Sequence, residues 1–244
     1  MIKPAKAIHK LLEKYGKKSD GWALTEHGGQ PALAFDDGGI VPLLPWRYER
    51  RFLEMREIIA SKQLDGVSAV KILKIGGTGS LINTLYREAD IAMWLADSTP
   101  LDVFADFNGD HAANVFIKLQ NGVLCCLELM AEPSLENAVT DKHTVITSRG
   151  LACDLAVDTQ IKQDSVYVYK DGNKRAAYTD TDFELYGLDP EETALARCCF
   201  DVLINRETVG ETFKQRAVLL KTVTDAALNS YEHKNRAVVR EAII

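Results

Sequence analysis

Apolar positions along the chain switch between two periods. Ile8, Leu11 and Leu12 recur at helical spacing, which predicts a helix from Lys3 to about Tyr15; Pro4 is tolerated in its first turn, and Gly16 with the polar Lys17–Asp20 run stops it. Trp22-Ala23-Leu24 and Ala32–Phe35 flank Gly28-Gly29 and read as a short hairpin, and Gly38-Gly39 leads into an apolar strand, Ile40–Leu44. Beyond Pro45 lies a basic, aromatic corner of Trp46, Arg47, Tyr48, Arg50, Arg51 and Phe52, followed by a helix with Met55, Ile58 and Ile59 at helical spacing. A strand, Val67–Ile75, then meets a glycine-rich turn and a helix over Leu81–Leu95.

From Leu101 the pattern changes to strands joined by tight turns. Asn114–Gln120 and Val123–Met130 flank Asn121-Gly122, the strongest hairpin signal in the chain, and Ser165–Tyr169 and Arg175–Tyr178 flank Asp171-Gly172 in the same way. Thr144–Ser148 and Asp154–Thr159 read as further strands. Two helices close the chain. Asp189, Pro190 and Glu192 fit a capping box at the start of the first, and the second runs from about Glu211 to Tyr231. Two-residue turns cannot join parallel neighbours, so the expected fold is α+β, a large mainly antiparallel sheet backed by helices. It forms one domain, with a helix and hairpin over residues 1–38 and the sheet over 39–244.

The turn Gly76-Gly77-Thr78-Gly79-Ser80 imitates a dinucleotide-binding fingerprint, but Ile82 stands where the third glycine belongs, and hairpins follow where strand–helix–strand crossovers are needed. These glycines are expected to turn the chain into the helix, and no dinucleotide-binding domain is expected. The backbone N–H groups at Gly79 and Ser80 are a candidate anion cradle at a helix N-terminus.

Composition narrows the function classes. Lys plus Arg number 29 against 35 Asp plus Glu, a formal charge of −6, which argues against nucleic-acid binding driven by phosphate contacts. No apolar run reaches the roughly 18–20 residues a membrane helix needs, and the start lacks the apolar stretch of a signal peptide, so a cytoplasmic address is expected. Cys125, Cys126, Cys153, Cys198 and Cys199 match neither a disulfide framework nor a zinc spacing and read as small core residues. The five histidines, His9, His27, His111, His143 and His233, show no ligand spacing; His111, beside Asp110, is the one to test as an acid or base.

Several motifs, in order, resemble the C-terminal domain of the glucose–fructose oxidoreductase/inositol dehydrogenase family (Gfo/Idh/MocA). They are Arg50-Arg51-Phe52, Met55 to Gly66-Val67, Gly76-Gly77 through Asp90–Leu95, Asn121–Leu124, Gly150 with Asp154, Val157–Gln160, and Tyr178-Thr179-Asp180 through Glu184–Leu188. The resemblance implies a sheet domain that shapes a sugar or polyol pocket and pairs with other subunits, alongside a Rossmann domain holding NAD or NADP. That domain is expected to be missing, since Lys3-Pro4 resembles the end of the tripeptide that follows it.

Alignment through Asp90 places the family's catalytic Asp on Asn83 and its His on Arg87, with Lys3 as its Lys. Asn has no titratable carboxylate and Arg stays protonated, so neither relays a proton near neutrality. Asn83 and Arg87 lie one helical turn apart and face the same way. Arg47, Tyr48, Asn83, Arg87 and Asp90 are the candidate substrate-binding residues. The alternative for Arg87 is a surface pair with Glu88 or Asp90, and a solvated helix start is the favoured reading for Arg50 and Arg51. Trp46 and Trp94 read as core or interface, and Asp158-Thr159-Gln160 as a strand end. The expected protein binds a sugar-like or acidic small molecule, or a partner dehydrogenase, without metal or bound nucleotide of its own. The alternative is the substrate half of a split NAD(P)-dependent oxidoreductase completed by a cofactor-binding subunit.

Overall fold

The structure, a computed structural model, describes residues 3–18, 20–76, 79–131, 140–156, 164–171, 173–179 and 188–239. Gly77, Thr78, the Asp158–Gln160 strand end and the Glu184–Gly187 motif lie outside the described residues. In chain order the first elements are α1 (Lys3–Lys14), β1 (Trp22–His27), β2 (Gln30–Phe35), β3 (Ile40–Pro42), α2 (Arg50–Ala60), β4 (Val67–Ile75) and α3 (Leu81–Leu95). Strands β5 (Pro100–Asn108), β6 (Ala112–Leu119), β7 (Leu124–Met130), β8 (Thr140–Thr147), β9 (Gly150–Ala156), β10 (Asp164–Lys170) and β11 (Asn173–Thr179) follow. The chain closes with α4 (Pro190–Ile204), α5 (Glu211–His233) and β12 (Ala237–Val238).

These elements gather into two compact units, Met1–Arg50 with Thr181–Val218, and Arg51–Asp180 with Leu219–Ile244. In the first, α1 buries Ile8, Leu11 and Leu12. Strands β1, β2 and β3 form a small antiparallel sheet in that order. The basic corner is a short 3-10 turn, Pro45–Tyr48, with Trp46 buried. Helix α4 starts on the expected capping box: Asp189 accepts from the Glu192 N–H at 2.8 Å, and Glu192 accepts from the Asp189 N–H at 3.2 Å. Satisfying two otherwise orphaned donors fixes that helix start. Between α4 and α5, a wide π turn at Arg206–Gly210 brings Arg206 onto the Phe35 ring, 3.8 Å from its centroid, with a two-pronged pair to Asp37.

The second unit holds a nine-stranded sheet, eight longer strands and the two-residue β12, in the order β11-β10-β9-β8-β4-β7-β6-β5-β12. All described pairings are antiparallel except β4 with β7. The expected α+β class holds, while this parallel pair adds to it. After α3 the chain crosses to β5, returns through two hairpins, and only then slides β7 against β4. The Asn121-Gly122 turn joins β6 to β7 as its sequence signals, with Gly122 at φ +85°.

Alternation along the strands sorts the two faces. Val103, Ala105, Val115, Ile117, Cys125, Leu127, Val70 and Ile72 are buried, whereas Phe104, Phe116, Leu124 and Met130 stand exposed on the other face. Helix α3 covers the buried face across β4, β7 and β6. The later part of α5 lies against β5, where Tyr231 meets Phe107 edge-on at 5.4 Å and the Ser230 hydroxyl accepts from the Ala105 N–H at 3.0 Å.

The cysteines are unpaired, and Cys126 alone of the five is not buried. Burial pushes the Cys125 and Cys199 thiols up to about 12 and Cys198 upward as well, which keeps them un-ionised and unreactive. The reading as core residues holds for Cys125, Cys153, Cys198 and Cys199, whereas Cys126 points to the partly exposed face of β7.

Candidate functional site

The most concentrated chemistry among the described residues is a buried charge network in the second unit. It forms because several polar side chains occupy inward positions of otherwise apolar elements. On β8, Asp141, His143 and Val145 share the inner face, and the register pairs Lys74 with Asp141 and Ile72 with His143. The pairing of Thr144 with Cys153 brings Asp154 of β9 beside His143. On α3, Leu81, Leu85, Glu88, Ala92 and Leu95 follow helical spacing, so Glu88 stands inside the buried stripe. Helix α2 contributes Arg51 and Phe52, both buried.

His143 is fully buried, and both its ring nitrogens meet carboxylates: Nδ1 lies 2.8 Å from Asp154 Oδ2 and Nε2 lies 2.8 Å from Glu88 Oε2. Asp141 Oδ1 approaches Nδ1 at 3.6 Å. The His143 backbone N–H donates to Asp154 as well. Arg51 bridges the acids, donating from Nη1 to Asp154 and from Nη2 to Asp141 at 3.0 Å each, and Lys74 donates to Asp141 at 2.7 Å. Arg87 donates to Glu88 Oε1. The Phe52 ring closes the set, edge-on to His143 at 4.6 Å and under the Arg51 guanidinium at 4.5 Å.

The electrostatics follow from this arrangement. Burial alone would lower the His143 pKa, but Asp154 and Glu88 outweigh it and raise it to about 9, so the ring is cationic at neutral pH. Burial would likewise raise Glu88, yet Arg87 and His143 bring it down to about 2. Against the same burial cost, Arg51, His143, Arg87 and Lys74 hold Asp141 well below the usual carboxylate range.

Glu88, Asp141 and His143 each bring a donor atom within 4.8 Å of the others, a spacing that a divalent ion can bridge. The chemistry of the set opposes one. Arg51, Lys74 and Arg87 already neutralise its carboxylates, and both ring nitrogens are engaged as donors. As it stands, the set is arranged as an ion-pair network.

The residues singled out from sequence fall as follows. Asn83 and Arg87 share a face of α3, with Arg87 tied to the buried Glu88 and its side chain 19% exposed; Asp90 is fully buried on the same helix. Arg47 and Tyr48 belong to the first unit, where the Tyr48 hydroxyl donates to Asp201 at 2.5 Å. Burial, followed by this bond, pushes the Tyr48 pKa upward and makes it a neutral donor. Lys3 opens α1. Ser80 caps α3, its Oγ accepting from the Asn83 N–H at 3.2 Å, and Gly79 and Ser80 lie immediately before that helix start.

Arg51 corrects an expectation. It is 8% exposed and paired with two acids, where a solvated helix start was anticipated, because the inward strand positions of Asp141 and Asp154 supply its partners. Nor is the histidine that matters His111, which is exposed and pairs with Asp110 at 3.2 Å. It is His143. Glu88, named from sequence as a surface partner of Arg87, is that partner but is buried; spacing gave no sign that Asp141, His143 and Asp154 gather beside it, although a polar residue recurring on the apolar face of a strand or helix marks such positions.

No protein-family model matches the chain, and no curated protein sequence does. Solved structures match with TM-scores above the level of chance folds. The super-repressor mutant of Gal80p from Saccharomyces cerevisiae matches at TM-score 0.65 and 13% identity, over 84% of this chain and 67% of that one. The myo-inositol 2-dehydrogenase from Lactobacillus plantarum matches at 0.60 and 12%, over 81% and 64%. The aldose-aldose oxidoreductase from Caulobacter crescentus matches at 0.59 and 14%, over 80% and 62%. The chain thus spans about 62–67% of the length of these structures. At such identities the likeness establishes the fold alone, and it agrees with the resemblance in the sequence: this is the mainly antiparallel sheet fold of the Gfo/Idh/MocA C-terminal domain.

Proposed function

We propose that this chain is a ligand-binding sheet domain that does not itself carry out hydride transfer. Its ligand is a sugar-like or acidic small molecule held by Arg87 and Asn83, with Lys74 and Asp141 at the partly exposed end of the charge network. One observation carries this reading. Where a proton relay would be needed, the chain has an amide and a guanidinium, and the nearest imidazole is sealed and already protonated. None of the three accepts a proton at neutral pH, while a fixed guanidinium beside an amide suits carboxylate and hydroxyl groups.

The same reading has the chain binding neither NAD(H) nor NADP(H) alone, and a cytoplasmic setting suits its unpaired thiols. Isothermal titration with the four nucleotides is expected to give no heat at micromolar concentrations. A panel of sugars and sugar acids is expected to raise the melting temperature of the wild type and not of Arg87→Ala. Tight nucleotide binding by the isolated chain would overturn the proposal.

A second reading, which the family resemblance of the sequence supports, is the substrate half of a split oxidoreductase whose partner subunit supplies the cofactor. Co-purification of a nucleotide-binding chain would select it. In either case we propose that another subunit covers the exposed sheet face. Phe104, Phe116, Leu124 and Met130 support this, since such a patch on an antiparallel sheet marks an interface. Light scattering is expected to give more than one chain per particle.

A further inference from the structure

We propose that His143, an imidazolium pinned between Asp154 and Glu88, is the positioning residue for Arg87, and that withdrawing its proton is felt at Arg87 through Glu88. Glu88 divides its two oxygens between two partners. Oε2 faces the His143 ring at 2.8 Å, and Oε1 takes the Arg87 guanidinium. One fully buried carboxylate therefore couples the ring to the arginine.

Geometry also fixes the state of the ring. Carboxylates stand 2.8 Å from both nitrogens, and an ionised carboxylate only accepts, so both nitrogens must donate. A neutral ring presents a lone pair to one carboxylate whichever tautomer it takes, turning one of those contacts from attraction to repulsion. Asp154 keeps other donors in that event, from Arg51 and from the His143 backbone. On Glu88 the remaining described donor is Arg87. Glu88 is thus the carboxylate whose position depends most on the ring, and Arg87 follows it.

Among the described residues, the charged groups facing this set come from every element around it: Arg51 from α2, Lys74 from β4, Arg87 and Glu88 from α3, Asp141 from β8 and Asp154 from β9. The proton leaves to solvent, while Glu88 and Asp141, both held low, stay ionised throughout the alkaline range. Its consequence for ligands rests on the reading of Arg87 given above, but the device itself does not.

The test is a nitrogen NMR titration of the wild-type protein labelled at histidine and arginine. Both His143 ring nitrogens are expected to be protonated at pH 7.5, and the ring and Arg87 Nε signals are expected to change together with a midpoint near 9. In Glu88→Gln the ring midpoint is expected to fall by about one pH unit or more, and the Arg87 signal to stop tracking it. A singly protonated ring at pH 7.5, or an Arg87 signal indifferent to the ring in the wild type, would overturn the proposal. If the titration behaves as expected and the sugar-acid panel shows no shift, only the ligand reading falls. If ligands bind while Arg87 ignores the ring, only the positioning role falls.

Discussion

Two arginines in this molecule make the same set of contacts in opposite surroundings. Arg206, in the first unit, lies over the Phe35 ring and grips Asp37 with both prongs, at 2.7 and 3.0 Å, with its side chain 35% exposed. Arg51, in the second, lies over Phe52 and holds Asp154 and Asp141 at 3.0 Å each while nearly sealed from water. The geometries are equally good, yet their consequences differ. Water and salt stand ready to replace either partner of Arg206, so its pair is easily lost and easily spared. Around Arg51, removing one partner strands a charge where nothing can solvate it. Burial, more than bond geometry, decides which pair the fold depends on.

The largest effect is expected from Asp154→Ala, which strips both Arg51 and His143 of a carboxylate. Urea unfolding is expected to show a loss of about 3–5 kcal/mol, the range for breaking a buried ion pair. A loss no larger than that of an exposed pair would erase the contrast between the two arginines.

Next comes pH. His143, raised from 6.5 to about 9, contributes stability that is complete below about 6.5 and lost as pH rises through about 9. Glu88, lowered from 4.5 to about 2, contributes stability that is complete above about 4.5 and lost as pH falls toward 2. Thermal melts are expected to show a plateau between roughly pH 4.5 and 6.5, with the alkaline shoulder absent in His143→Gln.

Smaller still is Gly39→Ala. A Cβ there would stand 2.3 Å from Arg206 Nη2, so the guanidinium must swing off Phe35 and Asp37. Combined with Arg206→Ala, the glycine change is expected to add almost nothing, the non-additivity of two routes to one loss. The smallest effect belongs to Asp37→Ala. Arg206 and the Gly39 N–H hold that carboxyl down at about 2, but it is fully solvated, so the drop in melting temperature is expected to be slight and to vanish near 1 M salt.

Legibility in the sequence follows the range of the interactions. Helix α3 was bounded at Leu81 and Leu95 by its apolar spacing, α4 by the Asp189–Glu192 box, and the β6–β7 hairpin by Asn121-Gly122. All three signals lie within a few residues of one another. The charge network joins Arg51 to Asp154 across 103 residues and Glu88 to His143 across 55, and no local pattern encodes such pairings. Asn83, Arg87 and its partner Glu88 could be picked out because they share one helix, whereas Asp141 and Asp154, the acids that hold Arg51, could not. The parallel β4–β7 pair escaped for the same reason, since two hairpins intervene before β7 arrives.

Strand β4 sits in the middle of the large sheet, yet both its neighbours, β7 and β8, are made much later along the polypeptide. During synthesis, a ribosome that has released residues 67–75 has exposed a bare strand with two unsatisfied edges until at least residue 124 emerges. Unpaired apolar edges invite association between chains. Truncations ending before Leu124 leave Val67–Ile75 without either neighbour and are expected to scatter light on dilution from denaturant.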